Sequence, residues 1–304
     1  MSAAPDGVQA DYPLARLTTI RTGGAADWFA RPASAEALVA MLRWADAGGY
    51  AVGLVGSGSN LLVADDGFHG LALKLDGDLA TIERDGDGIL CGGGARLPSA
   101  AAKAAGWGLS GLEFGINIPG TAGGAVRMNA NAYGGQLARV LDWVEIATAA
   151  GSERRAPDQL GFSYRRSNLR PGEVVSRARF RLRRGEPEAI LATLAAMRER
   201  RREAQPSGIK TFGSTFKNPE DERAGGRSAG QLLEAAGCRG LAHGGARFSE
   251  KHANFVENTG EASTADVLGL MAEGRRRVHA EFGVELEPEV QVLGEVDWPG
   301  GWEL

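Results

Sequence analysis

The 304-residue sequence contains few residues of the kinds that build disulfide scaffolds, metal centres or membrane spans. Its two cysteines, Cys91 and Cys238, lie far apart, and neither they nor the four histidines show a metal-ligand spacing. No apolar run reaches the roughly 18 residues that a membrane helix needs, and residues 1–13 lack the pattern of a secretory signal. We therefore expect no metal, no membrane association and a cytoplasmic location.

The chain also lacks a strong excess of charge. Its formal net charge is −4, so nothing general attracts it to nucleic acid or to an anionic membrane. Hydrophobic residues make up 43% and charged residues 24%, which is ordinary for a globular protein. At this length we expect two or three domains and small-molecule partners rather than nucleic acid.

Glycine is the residue that the chain has in excess. The 45 glycines are about twice the usual share of ~7%. They are not periodic, and they cluster in short runs between apolar segments. This distribution predicts tight turns and places where the backbone approaches a ligand closely, rather than a collagen-like repeat or a flexible linker.

Short predicted strands alternate with short helices in the first half of the chain, which indicates an α+β or mixed α/β fold. A helix is expected after Ser34, ended by Gly48-Gly49, and a longer one over Pro187–Ala204. Pro206 and Gly208 then break the chain, so we predict a domain boundary at 205/206.

Further elements are predicted beyond this boundary, among them strands near residues 253–257. A helix is expected from Ser228, and a second one over residues 263–282, because Ser263 and Asp266 form a capping-box pattern. A last strand is predicted over residues 284–293.

Two glycine-rich segments predict ligand contact. Gly56-Ser57-Gly58-Ser59-Asn60-Leu61 follows a strand, but Leu61 stands where the dinucleotide fingerprint needs a third glycine. What remains is a loop whose backbone N–H groups can cradle a pyrophosphate, or else a plain turn. Residues 115–135 hold six glycines and three asparagines and are too apolar for an ordinary surface loop.

The segment Gly208–Pro219 carries a single central hydroxyl, Ser214, directly after Gly213. No histidine in the segment offers a base that would make Ser214 a nucleophile. If it takes part in chemistry, it handles a proton; the alternative is a simple turn before the proline. Separately, Tyr164-Arg165 places a guanidinium, suited to carboxylate or phosphate, beside a phenol.

Taken in order, these segments resemble the UDP-N-acetylenolpyruvoylglucosamine reductase (MurB) family over nearly the whole chain. Individually each motif is short, and together their order and spacing are specific. The resemblance rests on the following segments: 19–26 (TIRTGGAA), 56–62 (GSGSNLL), 111–114 (GLEF), 118–126 (IPGTAGGAV), 164–167 (YRRS), 213–219 (GSTFKNP), 228–234 (SAGQLLE), 251–255 (KHANF) and 286–290 (LEPEV).

The resemblance implies an α+β fold. It consists of an FAD-binding domain of the vanillyl-alcohol-oxidase type in two subdomains, residues 1–75 and 76–205, and a C-terminal α+β substrate-binding domain, residues 206–304. It further implies non-covalent FAD, NADPH as reductant, and a monomeric enzyme of peptidoglycan precursor synthesis. The reaction would pass a hydride from the reduced flavin N5 to the enolpyruvyl double bond of UDP-N-acetylglucosamine enolpyruvate, yielding UDP-N-acetylmuramate.

The motif positions imply three catalytic residues: Ser214 donates a proton, and Arg165 and Glu289 act at the substrate carboxylate. Glu287 lies two residues from Glu289, and we choose Glu289 because it directly precedes the apolar residue of the motif. The expected cofactor-binding residues are Gly56, Ser57, Gly58, Ser59, Asn60, Leu61, Pro119, Gly120, Thr121, Gly123, Gly124 and Ala125. The expected substrate-binding residues are Tyr164, Lys217, Asn218, Gln231, His252 and Asn254.

The sequence departs from the family pattern at Asn117 and Asn131, where glycine is expected, and asparagine tolerates the left-handed conformation better than most residues. The strand expected at Val174 leaves no room for a tyrosine-bearing loop, so the chain resembles the shorter subtype. Two alternatives stay open. One is a sugar or alcohol oxidase that tethers FAD covalently, with His69 and Cys91 the nearest candidates. The other is a nucleotide-binding module without catalytic activity.

Overall fold

The structure is a computed structural model that describes residues 3–299. Within this range the α-helices are α1 (Ala35–Gly48), α2 (Leu97–Gly106), α3 (Ala122–Arg127), α4 (Pro187–Ala204), α5 (Ala229–Ala235) and α6 (Thr264–Phe282). Short 3-10 turns cover Leu14–Leu17, Gly77–Ala80, Glu113–Asn117, Leu137–Arg139, Pro157–Leu160 and Glu222–Ala224.

The strands are short and spread along the whole described range. They are β1 (Gln9–Pro13), β2 (Ala25–Ala30), β3 (Ala51–Leu54), β4 (Leu61–Val63), β5 (Phe68–Leu73), β6 (Ile82–Asp85), β7 (Gly88–Gly92), β8 (Leu109–Ser110), β9 (Asn131–Ala132), β10 (Gly135–Gln136), β11 (Leu141–Thr148), β12 (Gly151–Arg155), β13 (Val174–Arg181), β14 (Arg183–Arg184), β15 (Ala242–His243), β16 (Ala246–Phe248), β17 (Val256–Asn258) and β18 (Gln291–Leu293).

Local sequence signals set the ends of the predicted helices. At the start of α1 the Ser34 hydroxyl accepts from the Ala37 N–H at 3.2 Å, and Gly49 ends the helix in the left-handed conformation. The expected capping box is present at α6, where Ser263 and Asp266 exchange bonds of 3.0 Å, and Gly283 is its left-handed cap. The predictions for α1, α4 and α6 are confirmed.

The described chain divides into two compact units, each drawn from several segments. Unit 1 contains residues up to 12, 27–57 and 69–201, and unit 2 contains residues 13–26, 58–68 and those from 202 onward. The sequence pattern predicts a break near 205 but gives no sign that the two early segments belong to unit 2. The subdivision at 75/76 stays a prediction.

Unit 1 is built around an antiparallel five-stranded sheet in the order β12-β11-β13-β7-β6, against which α2 and α3 pack. A second sheet, β1-β2-β5-β3, has most of its residues in this unit and packs with α1 around the buried side chains of Leu38, Leu42 and Leu71. The larger core includes Ile89, Phe114, Val126, Ile146 and Phe180.

Unit 2 combines the three-stranded sheet β15-β16-β17 with α5 and α6. Its core contains Phe212, Phe216, Leu232, Phe248 and Leu270, each at most 1% exposed. Strand β18 pairs in parallel with β4, so that Gln291 lies opposite Leu61. This pairing brings the C-terminal part of the chain beside the predicted cofactor loop.

The predicted last strand, residues 284–293, is a regular strand only over β18. Upstream of it Pro288 forms an isolated antiparallel bridge with Phe216. Proline has no N–H to donate to a ladder, which limits regular pairing at this point. Within residues 3–299 no helix is long and apolar enough to cross a membrane, and no three acidic, histidine or cysteine side chains are grouped to hold a metal ion.

Candidate active site

The segment that carries Ser214 lies between two neighbouring segments of unit 2. On one side the Thr215 N–H donates to the Asn254 carbonyl at 2.8 Å, and Ser214 forms an antiparallel bridge with Phe255. On the other side the Glu289 N–H donates to the Thr215 carbonyl at 2.8 Å. Ser214 therefore occupies a backbone that is hydrogen-bonded on both sides, although the sequence predicts only a loop.

The two carboxylates of the last motif differ in their surroundings. Glu287 has a 75% exposed side chain, and its Oε2 lies 3.1 Å from Lys217 Nζ. Glu289 is half-buried, and its backbone carbonyl accepts a hydrogen bond of 3.1 Å from Asn60 Nδ2. Glu289 is therefore the more shielded of the two residues.

Asn60 has a contact that the sequence does not indicate. Besides its side-chain bond to the Glu289 carbonyl, its own carbonyl accepts from the Gln291 N–H at 3.1 Å. One residue of the predicted cofactor loop is thus joined to the segment of the predicted catalytic carboxylate. The order of motifs along the chain could not have shown this.

The predicted substrate-binding residues of unit 2 lie around the start of α5 and the loop before β17. Asn218 Oδ1 accepts from the Ala229 N–H at 3.1 Å, and Gln231 Oε1 accepts from the Ser228 N–H at 2.8 Å. The Lys217 N–H donates to the Glu287 carbonyl at 2.9 Å. These residues are therefore anchored in unit 2, and Asn218 and Gln231 are exposed.

His252 is half-buried and packs edge-on against Phe255. Its Nδ1 accepts from the Asn254 N–H at 3.2 Å, which assigns the ring proton to Nε2. Burial is the main cause that lowers the pKa of His252; a backbone hydrogen bond at His252 opposes it, and the charges of Arg239 and Glu234 act in opposite directions. The neutral ring is the form that can accept this bond.

Arg165 lies at the tip of a tight turn in unit 1. Ser163 and Arg166 exchange backbone hydrogen bonds of 3.1 and 3.2 Å, and Arg165 has a φ of 56°. Its Nη1 donates to the Asn131 carbonyl at 3.2 Å, and its Cζ lies 5.5 Å from the centre of the Tyr164 ring. A non-glycine residue in this conformation is uncommon and costs energy, as is typical of functional turns.

Asn129 supports this turn and was not singled out from the sequence. It is fully buried, its Nδ2 donates to the Ser163 carbonyl at 3.0 Å, and its Oδ1 accepts from the Ala138 N–H at 3.2 Å. Its φ is 39°, a conformation that asparagine tolerates. Its place in a glycine- and asparagine-rich run was the signal that could have identified it.

The two predicted cofactor segments meet within unit 1 at Gly56 and Thr121. A Cβ at Gly56 would lie 2.9 Å from Thr121 Oγ1, so a side chain there would force Thr121 to shift. Lys74 Nζ donates to the Gly56 carbonyl, and burial lowers the pKa of Lys74. Glycine backbone without a side chain, with a lysine ammonium bonded to its carbonyl, suits the phosphates of a dinucleotide. These residues therefore fit FAD.

The departures from the family pattern have a structural explanation at Asn117. This residue is 9% exposed, and its Nδ2 donates to the Tyr133 hydroxyl at 2.9 Å and to the Met197 carbonyl at 2.7 Å. Asn131 contributes its carbonyl to Arg165. The Asn117 side chain therefore hydrogen-bonds to α4 and to the hairpin formed by β9 and β10.

The two candidates for covalent attachment of a flavin are placed differently. Cys91 is fully buried in β7, and burial raises the pKa of its thiol to about 12. A thiol with that pKa is a poor nucleophile. His69 is exposed and its Nδ1 lies 3.3 Å from Asp27 Oδ1. Neither arrangement favours tethering.

Comparison with known proteins gives two family matches that together cover more than half of the chain. The family described as FAD binding domain matches residues 26–156, and the family described as UDP-N-acetylenolpyruvoylglucosamine reductase, C-terminal domain, matches residues 205–293. These matches confirm the predicted FAD-binding domain and the C-terminal α+β domain, and FAD is the cofactor of this chain.

Individual relatives extend the similarity to nearly the full length. The UDP-N-acetylenolpyruvoylglucosamine reductase of Acidiphilium cryptum is 46% identical over 285 residues, covering 93% of this chain and 90% of the relative. That of Granulibacter bethesdensis is 44% identical over 282 residues, covering 93% and 89%. The crystal structure of the reductase (MurB) from Thermus caldophilus matches with a TM-score of 0.80 and 37% identity, covering 94% of this chain and 98% of that one.

Proposed function

Because the chain belongs to the UDP-N-acetylenolpyruvoylglucosamine reductase family, we propose that it reduces UDP-N-acetylglucosamine enolpyruvate to UDP-N-acetylmuramate with NADPH. The single structural observation that carries the proposal is the pairing of Thr215 with Glu289, next to Ser214. It supplies a hydroxyl and a carboxylate on adjoining backbones in a chain that also has an FAD-binding domain. The reaction belongs to peptidoglycan precursor synthesis, and we propose that the enzyme acts as a cytoplasmic monomer.

The cofactor is held by the two glycine-rich segments in this proposal. Backbone N–H groups of residues 56–61 bind the pyrophosphate, and the glycine-rich backbone of residues 119–125 approaches the cofactor closely, with Lys74 bonded to the Gly56 carbonyl. When bound, FAD takes a hydride from NADPH and supplies it to the terminal carbon of the enolpyruvyl double bond. The buried, protonated thiol of Cys91 supports non-covalent binding.

Ser214 completes the addition with a proton. Reduction of the double bond needs a hydride at one carbon and a proton at the other, so that the enol ether becomes a lactyl ether and NADPH becomes NADP⁺. A serine hydroxyl is a weak acid, and Glu289 in its protonated form, on the segment bonded to Thr215, is the group that replenishes its proton. The backbone bonds on both sides of this segment fix the main chain that carries the hydroxyl.

Arg165 neutralises the charge that develops during the reaction. Electrons from the hydride accumulate on the substrate carboxylate, and a guanidinium bound to that carboxylate stabilises them. The Ser163–Arg166 turn, anchored by Asn129, presents the Arg165 side chain in a defined conformation. Glu289 assists at the same carboxylate.

Substrate phosphates are assigned to Lys217, a compact point charge, with Tyr164, Asn218, Gln231 and His252 as further contacts. Three of these five side chains, those of Lys217, Asn218 and Gln231, are already held by neighbours in unit 2. Prior anchoring lowers the entropy lost when a ligand binds. Asn254 was predicted to contact substrate as well, and its geometry leads to a different role.

An anaerobic titration tests the proposed function. The purified yellow protein is reduced with NADPH, and UDP-N-acetylglucosamine enolpyruvate is then added while the flavin absorbance is followed. Reoxidation with one equivalent of substrate is expected, and failure to reoxidise would overturn the assignment. Acid precipitation of the same sample should leave the yellow colour in the supernatant if FAD is not covalently bound.

A further inference from the structure

The side-chain amide of Asn254 is hydrogen-bonded at both ends inside unit 2. Its Oδ1 accepts from the Phe216 N–H and its Nδ2 donates to the Phe216 carbonyl, both at 2.9 Å. Asn254 is 4% exposed and Phe216 is 1% exposed. An amide that is buried and bonded at both ends is poorly placed to bind a substrate, although its motif predicts that it does so.

The backbone of Asn254 holds the same segment. Its carbonyl accepts from the Thr215 N–H at 2.8 Å, and its N–H donates to His252 Nδ1 at 3.2 Å. Asn254 therefore contacts both residues that follow Ser214, one through its backbone and the other through its side chain.

The side-chain amide replaces a missing strand partner. On the side that faces Pro288, the hydrogen bonds are made by the residues flanking Phe216: Glu289 donates to Thr215, and Lys217 donates to Glu287. The N–H and carbonyl of Phe216 therefore point away from Pro288. Without the Asn254 amide, these two groups of Phe216 would be buried and would lack the hydrogen bonds seen here. Buried backbone groups are nearly always hydrogen-bonded. The amide thus imitates one residue of a β-strand at this point.

We propose that Asn254 is a positioning residue for proton transfer, which holds the backbone after Ser214 so that the serine hydroxyl meets the substrate carbon. This inference rests on the proposed function and replaces the expected contact between Asn254 and substrate. The residue acts through Ser214 and touches neither substrate nor cofactor. Displacements of about 1 Å at a reacting group can slow a reaction by up to ~100-fold.

The test compares Asn254→Asp with Asn258→Asp in the FAD-loaded enzyme. Asn258 is a matched control: it is 8% exposed, its Nδ2 donates to the Ile20 carbonyl at 2.9 Å, and its Oδ1 accepts from the Gly260 N–H at 2.8 Å. It clamps backbone in the same unit but not next to Ser214. Aspartate keeps the shape of either side chain and loses the donor.

Stopped-flow absorbance separates the two half-reactions. In Asn254→Asp we expect flavin oxidation by substrate to slow by about 10- to 100-fold, with NADPH-dependent reduction within about twofold of wild type. The ratio of oxidation rates in H₂O and D₂O should rise above the wild-type ratio, since proton transfer becomes slower. A loss of folded protein lowers the amplitude and leaves this ratio unchanged.

Equal rates and equal isotope ratios in the Asn254 and Asn258 variants would overturn the positioning role. Slower oxidation caused only by a higher substrate KM would overturn it too, because that result indicates direct substrate contact. If Asn254→Asp does not fold, Asn254→Ser, whose hydroxyl can keep one of the two bonds, takes its place with the same criteria. Wild-type enzyme that fails to reoxidise would overturn the proposed function itself, so the two failures are distinguishable.

Discussion

Glu289 donates its backbone N–H to the carbonyl of Thr215 at 2.8 Å, which joins the last motif of the chain to the neighbour of Ser214. The two residues are 74 positions apart, since 289 minus 215 is 74. Their bond lies within one compact unit. This bond holds together the two backbone segments that carry the Ser214 hydroxyl and the Glu289 carboxylate.

Replacing Ser214 by alanine should slow flavin oxidation by substrate at least ~100-fold, because one preorganised donor contributes about 3 kcal/mol to a transition state. Reduction by NADPH should be unaffected. Thr215→Val is the control, since Thr215 is fully buried and its Oγ1 has no hydrogen-bond partner within the described part of the chain. Stopped-flow absorbance measures both steps. An equal fall in both half-reactions for Ser214→Ala would contradict the proton-donor role.

Glu287→Gln and Glu289→Gln form a matched pair at neighbouring positions of one motif. We expect Glu289→Gln to slow the oxidative half-reaction by about 10²- to 10⁴-fold, the usual range for acid–base groups. Glu287→Gln should stay within about threefold of wild type and lose only an exposed ion pair with Lys217, worth less than ~1 kcal/mol. The reverse order of effects would transfer the role to Glu287.

Arg165→Gly and Arg165→Ala should lose catalysis to the same extent but differ in stability. Both remove the guanidinium, so oxidation of the flavin by substrate should fall at least ~100-fold in each. Because φ is 56° at this residue, glycine should be more stable than alanine here by about 1 kcal/mol. Urea denaturation measures the difference. Equal stability would mean that the turn carries no conformational strain.

Gly56→Ala should weaken FAD binding. The new Cβ would lie 2.9 Å from Thr121 Oγ1, which accepts from the Gly124 N–H at 3.3 Å as the cap of α3. Rotation of Thr121 would cost about 1 kcal/mol of capping and would disturb both cofactor segments. Gly106→Ala is the control, since a Cβ there meets nothing within 4 Å. The ratio of flavin to protein absorbance should fall only in Gly56→Ala, and equal ratios would contradict the close approach.

His252 should make stability depend on pH below its unfolded-state pKa of about 6.5. Burial lowers its pKa in the folded protein, so the unfolded chain binds more protons in that window and stability falls as the pH drops. His252→Asn keeps an acceptor and cannot titrate. Urea denaturation at about pH 7.5 and about pH 5.5 should therefore show a smaller loss for the variant than for wild type. Equal losses would indicate that His252 does not contribute.

Local signals in the sequence were sufficient for several helices. Ser34 and Gly49 at α1, and Ser263, Asp266 and Gly283 at α6, act through bonds between residues close in the chain, so their pattern can be read directly. The last strand was predicted too long, because pairing depends on a distant partner and Pro288 interrupts it.

The proposed site residues also divide into those that local sequence identified and those that only the fold revealed. Ser214, Arg165 and Glu289 could be chosen from motif order, whereas the roles of Asn60, Asn129 and Asn254 could not. Asparagine amides bond equally well to ligands and to backbone. Only the fold shows that Asn254 binds Phe216, or that Asn60 bonds to the Glu289 carbonyl.

By itself the sequence determined the family and the FAD-binding and C-terminal domains, and it supplied the candidate residues for the proposed reduction of an enol ether. These are carried by residue types and their order, which folding does not change. The tertiary structure decided which segments form each unit, which carboxylate is shielded and which amides are consumed as clamps. Those outcomes depend on contacts between residues far apart in the chain, and such contacts cannot be read from composition, spacing or periodicity.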